Sequence, residues 1–235
     1  AFSYVLRVMD KNEDGGVVEL DCQDEDAATY SPDSTAGAVS GGGSAIRFDG
    51  PTKLYPMDIP LLRDADDSLG HYVGATGFRT EWRGARLFRS TDAGANYSAL
   101  QDIDRRVTAG VSESALRDFD GGNLVDETNT VDVALVNGTL STITRAQLLN
   151  SGNAALLGDE IINFRAATLV SGTTYRLSGL LRGRLGTEDA QATHAIGERF
   201  VLLDAGSLLR QSTPASLVDV AVLLKAVGRG SSIDE

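Results

Sequence analysis

The sequence predicts a mainly β protein, antiparallel and β-sandwich-like, with short helices in its connections. Three observations predict it. Runs rich in β-branched and aromatic residues recur between turn signals, as in "GARLFRS", "TVDVALVNGTLSTI", "EIINFRAATLVSGTTYRLSGLL" and "ERFVLLD". In the second run Asn137-Gly138 separates two alternating stretches, the strongest short hairpin signal. Helical patterns are brief, "SESALRDF" and "TRAQLLN", the latter opened by Thr144 as an N-cap.

Taken in order, the chain starts with a hairpin from Phe2 to Gln23: "FSYVLRVMD", the turn-rich "KNEDGG", then "VVELDCQ". Two strands cannot bury an apolar face alone, so this hairpin is expected to complete a sheet of an upstream or neighbouring domain. The start, already strand-like and without a methionine, points to one part of a longer polypeptide. "DSTAGAVSGGGSA", from Asp33, has the small polar composition of a linker or exposed loop. Residues 1–45 are therefore read as hairpin and linker. Residues 46–235 are read as a β-rich region, one domain or two small subdomains.

With 235 residues, 42% of them hydrophobic, the chain is long enough to bury a substantial core. Cys22 is its single cysteine and has no intramolecular bridging partner. Burial and hydrogen bonding must carry stability. The 21 basic residues face 33 acidic ones, a net charge of -12, which disfavours nucleic acid and anionic membrane surfaces as partners. No run of about 18 apolar residues marks a membrane span.

Several clusters have the residue types of binding sites. Asp10, Asn12, Asp14 and Asp21 fall at calcium-loop spacing, with Gly15 at the turn. Calcium is the one cofactor this suggests, although the strand-like flanks and the Asp-Gly turn favour a plain hairpin. Asp64, Asp66 and Asp67, and separately Asp118, Asp120, Asp126 and Glu127, offer oxygen ligands in loops, where solvated carboxylates are the commoner outcome. Trp82 is the candidate glycan contact, weighed against a role as a core anchor. "STDAGANY", Ser90 to Tyr97, has the S-x-D-x-G-x-x-aromatic pattern of an Asp-box, a structural hairpin turn. His71 and His194 have no visible partners, and neither a G-x-S-x-G elbow nor a P-loop is present, so no catalytic constellation emerges.

The densest motif is "YRLSGLLRGRLGTE", Tyr175 to Glu188. Alternation puts Tyr175, Leu177 and Leu181 on one face and Arg176, Ser178 and Arg182 on the other. Arg182, Gly183, Arg184 and Gly186 then form a tight reversal. In an acidic chain its guanidinium groups are expected to clamp carboxylates or carbonyls, for structure or assembly, rather than a phosphate.

"MDIPLLRDADD", "YVGATG", "WRGARLFRSTDAG", "LLNSGNAALLGDEIINFRAATLV", "YRLSGLLRGRLGTE" and "H-x-x-G-E-R-F-V" together resemble the C-terminal part of the tail-tip hub proteins of siphophages and alphaproteobacterial gene transfer agents. The resemblance runs in order from about Phe2 to Asp204. It implies a structural, non-enzymatic component of a virion or gene-transfer-agent tail tip (baseplate hub), active in assembly and in host attachment or penetration. Its implied partners are the distal tail ring, other hub segments and two further copies in a homotrimer. The alternative is a carbohydrate-binding module for host surface glycans. A glycoside hydrolase fragment is the least supported reading.

Overall fold

The computed structural model describes residues 6–14, 17–24 and 51–230, with side chains from residue 51 onward. The chain divides into two compact units, Ala1–Arg47 and Phe48–Glu235. In the first, β1 (Leu6–Asp14) and β2 (Val17–Asp24) form a two-stranded antiparallel sheet, Asp10 opposite Asp21 and Asn12 opposite Glu19. The side chains of Asp10, Asn12, Asp14 and Asp21 lie outside the described residues, as does the glycine-rich loop from Asp33.

The second unit is built from β3 (Thr52–Met57), β4 (Gly70–Gly77), β5 (Ala85–Ser90), β6 (Ser98–Ile103), β7 (Ala109–Ser112), β8 (Val131–Asn137), helix α1 (Arg145–Leu149), β9 (Ala154–Leu157), β10 (Glu160–Ser171), β11 (Thr174–Leu181), β12 (Arg199–Leu202), β13 (Leu209–Ser212) and β14 (Leu223–Gly228). Strands β7 to β12 close into a barrel in the order β10-β11-β8-β7-β12-β9. The strands flanking the barrel in sequence pair with each other, giving the three-stranded sheets β13-β4-β3 and β14-β5-β6. Every pairing is antiparallel. The mainly antiparallel class is thus the one the sequence predicts, with one correction. Sandwich-like packing is confined to the two small sheets, and the stretch between them is a closed barrel, which leaves its strands no free edge.

The two-residue period of a strand explains how the layers share residues. On β9, Ala155 and Leu157 face the barrel core, while Leu156 faces outward onto Tyr55, Met57 and Tyr72 of the first sheet. Phe200 and Val201 divide in the same way on β12, as do Ile162 and Ile161 on β10. The first sheet is two-faced in turn: Tyr72 meets the barrel, and Val73 and Ala75 meet Ala85, Leu87 and Ile103 of the second sheet. Burying one large aliphatic or aromatic side chain stabilises by about 1.5–3 kcal/mol, so these interleaved rows supply the cohesion between layers.

Three local expectations change. Asn137-Gly138 does not open a hairpin, because β8 already has β7 on one edge and β11 on the other and offers nothing to "TLSTI". "SESALRDF" is not helical; Leu116 enters the barrel core, and the Ser114 hydroxyl accepts from the Asp132 amide. On β11 the alternation breaks at Gly179, whose φ of +65° is left-handed, and a Cβ there would lie 3.0 Å from Arg165 Nε. Leu180 rather than Leu181 therefore joins Leu177 in the barrel core. Thr144 caps α1 through a full capping box with Gln147.

Candidate functional site

The end of the barrel where β10 begins and β11 finishes buries charge. Glu160 continues the inward row of Ile162 and Phe164, and Arg182 that of Leu180; both side chains have no solvent exposure. Arg182 Nε donates to the two Glu160 oxygens at 2.9 and 3.1 Å, and Nη2 donates to Oε2 at 2.9 Å. Its Nη1 donates to the Arg117 carbonyl at 2.8 Å and lies 3.5 Å from buried Asp126. The Gly183 amide adds a 2.6 Å bond to Glu160 Oε1. Only glycine suits that position: φ is +55°, and a Cβ would fall 2.4 Å from Gln191 Nε2 and 2.7 Å from Glu188 Cγ.

His194 completes the cluster. Nε2 stands 2.6 Å from Glu160 Oε2 and Nδ1 stands 2.7 Å from Glu198 Oε2, with the ring only 2% exposed. Burial alone would lower the His194 pKa, but the hydrogen bonds and charges of Glu160 and Glu198 outweigh it and hold the pKa above the ordinary value. For Glu160 burial pushes upward, yet His194, Arg182 and the Gly183 amide bring the carboxyl below its usual range. Asp126 is tied locally, its oxygens accepting from the Thr128 and Asn129 amides at 3.0 and 2.9 Å and from Asn129 Nδ2 at 2.8 Å. Both Glu160 oxygens and both His194 ring nitrogens thus face protein partners, the arrangement of a clasp joining distant parts of the chain.

The tight reversal divides in two. Arg182 and Gly183 belong to the clasp. Arg184 and Gly186 lie in a 3-10 turn around Leu185, itself at φ +58°, and the Arg184 guanidinium has no partner among the described residues. His194 and Glu198 were visible in "H-x-x-G-E-R-F-V" only as letters; the absence of partners read for His194 is corrected by two carboxylates. Glu160 opens an apolar strand, and no local pattern marks it.

The remaining candidates take other roles. Trp82 is 5% exposed in the core between the two small sheets; Nε1 donates to Thr52 Oγ1 at 2.8 Å, and the Arg106 guanidinium lies 5.5 Å from the ring. This corrects its reading as a glycan contact, since its faces are covered. His71 Nδ1 lies 3.3 Å from Thr213 Oγ1, and burial together with Arg210 lowers its pKa. Asp66 is engaged by Arg63 and Tyr72, and Glu127 by Arg165. Among the described residues no group of three or more His, Cys, Asp or Glu is placed to hold a metal ion.

The Asp-box has the expected geometry as the turn between β5 and β6. Asp92 accepts from the Asn96 amide at 2.9 Å and from the Ser90 hydroxyl at 2.7 Å, with Gly94 at φ +93°. Those bonds, the Ser90 hydroxyl foremost, bring the Asp92 pKa down to about 2. A groove of about 550 Å³ runs beside His71, Arg199 and Leu223. Arg199 is already engaged there, donating to Gly158 O, Pro56 O and Asp159.

Residues 107–201 match a family described as Rcc01698-like, C-terminal, a name related to gene transfer agents and phages. The match coincides with the barrel, which runs from Ala109 at the start of β7 to Leu202 at the end of β12. No curated protein matches the chain. Among the described residues no helix is long and apolar enough to cross a membrane.

Proposed function

We propose that the chain is a structural, non-enzymatic module of the tail tip of a phage or phage-like particle, a part of the baseplate hub that serves tail assembly and host attachment or penetration. The observation that carries this reading is the coincidence of the family match with the barrel. In this chain the matched segment is a closed barrel whose buried Glu160, Arg182 and His194 are bonded to one another. The acidic composition and the hub-like sequence blocks point the same way. Its partners would be the distal tail ring, other hub segments and two further copies in a homotrimer. No cofactor is required. The glycan-binding alternative loses Trp82 as its contact.

The test is electron microscopy of native particles labelled with an antibody against the barrel, together with particles from a strain lacking residues 107–201. Label confined to the distal end of the tail, with incomplete tips in the deletion strain, is the expected result. Label on the head or along the tube, or turnover of peptidoglycan or capsule by the purified chain, would overturn the reading.

A further inference from the structure

We propose that His194 is a proton-operated latch, which in its charged form holds the connection between β11 and β12 against the end of the barrel and in its neutral form lets that connection go. A neutral imidazole carries one N–H and can donate from one nitrogen only. Here Nε2 is 2.6 Å from a Glu160 oxygen and Nδ1 is 2.7 Å from a Glu198 oxygen, and both oxygens belong to carboxylates. Only the imidazolium satisfies both contacts; in the neutral ring one nitrogen lone pair faces a carboxylate oxygen at hydrogen-bond distance.

The charged groups around the ring are few and come from every element packed on it. Glu160 stands on β10 and Glu198 immediately precedes β12; behind Glu160 lie Arg182 at the end of β11 and Asp126, bridged to Leu180. With His194 charged, two cations meet three carboxylates. Loss of its proton leaves Arg182 as the single cation among them, in a site from which water is largely excluded.

The connection, residues 183–198, depends on this ring. Its ends are fixed by other bonds: Gly183 to Glu160, Thr187 Oγ1 accepting from the Ile161 amide, and the Gly197 amide to the Ser112 carbonyl. The Ala195 amide donates to Glu198 Oε1, so the carboxylate that grips His194 also orders the backbone beside it. The stretch between Thr187 and Ala195 carries the 3-10 turn Glu188–Thr193, whose Gln191 is buried beside Gly183, and His194 brings a charged side chain from it into the buried cluster.

The direction follows from the raised pKa. A group whose folded pKa lies above its unfolded value, here 6.5, contributes its stabilisation in full below pH 6.5. That contribution disappears as pH rises through the folded value. The device therefore closes in mild acid and opens on the alkaline side.

Hydrogen exchange on the whole protein across this range, corrected for intrinsic rates, tests the latch, with the β8 amides as internal reference. Amides of residues 185–196 should lose protection about tenfold or more as pH passes the folded His194 pKa, while β8 stays protected. His194→Gln, which never charges, should exchange fast at every pH with no step. Should that variant fail to fold, Glu198→Gln removes one of the two carboxylates and should move the step to lower pH. Nitrogen-15 shifts of the ring in the wild type should report two N–H groups below the step and one above it. A connection equally protected on both sides of the step, the same step in His194→Gln, an unmoved step in Glu198→Gln, or a neutral ring in mild acid would each overturn the proposal.

Discussion

At the end of the barrel Arg182 and Glu160 meet with no solvent exposure at all, whereas in the paired sheets Arg229 and Asp102 remain 48% and 44% exposed. What the paired sheets bury instead is Trp82, an aromatic body with one donor and one acceptor for it, Thr52 Oγ1. The difference teaches where each region is vulnerable. A buried ion pair has given up hydration on both sides, so removing one partner leaves the other uncompensated. An exposed pair has water as a ready substitute, so the sheets depend on apolar contact.

The sharpest way to break this contrast is Arg182→Ala, which strands Glu160 in the barrel end. We expect a loss of about 3–5 kcal/mol in denaturant unfolding. Arg184→Ala, two residues away and without a partner among the described residues, should unfold like wild type. Equal effects of the two would mean that burial of the pair is not what matters.

Trp82→Phe addresses the sheets, keeping an aromatic ring but removing the indole N–H and part of the buried area. A loss of about 1–3 kcal/mol is expected, with exchange protection falling at β4 and β5 before it falls at β8. Barrel amides that lose protection first would show that the layers do not fail separately.

Arg229→Ala removes the exposed partner of Asp104 and Asp102. Its effect should stay below about 1 kcal/mol and shrink further in high salt. A larger, salt-insensitive loss would place this pair in the same class as the barrel clasp.

The smallest effect belongs to the Asp-box. With the Asp92 pKa lowered from 3.8 to about 2, its stabilisation of the turn is present above pH 3.8 and fades as pH falls toward 2. Asp92→Ala should remove this acid dependence from the β5–β6 hairpin and leave the melting of the barrel unchanged. The chemical shift of the Asn96 amide, followed through an acid titration of the wild type, gives the midpoint directly.

What was legible in the sequence closes over a few residues. The Asp-box turn at Ser90 and Asp92 and the Thr144 N-cap each join groups near one another in the chain, so side-chain type and spacing specify the bonds. Runs rich in β-branched and aromatic residues between turn signals likewise marked β10 and β12 as strands. Only the tertiary structure decided the rest. Arg182 reaches Glu160 across 22 residues and His194 reaches it across 34, and the Asn137-Gly138 signal yields because the edges of β8 are taken by strands from elsewhere. A carboxylate in a sequence has many cations available to it at such distances. The barrel selects among them by fixing which rows face inward and where the strands end, and the left-handed turn at Gly179 carries Arg182 into the buried row beside Glu160.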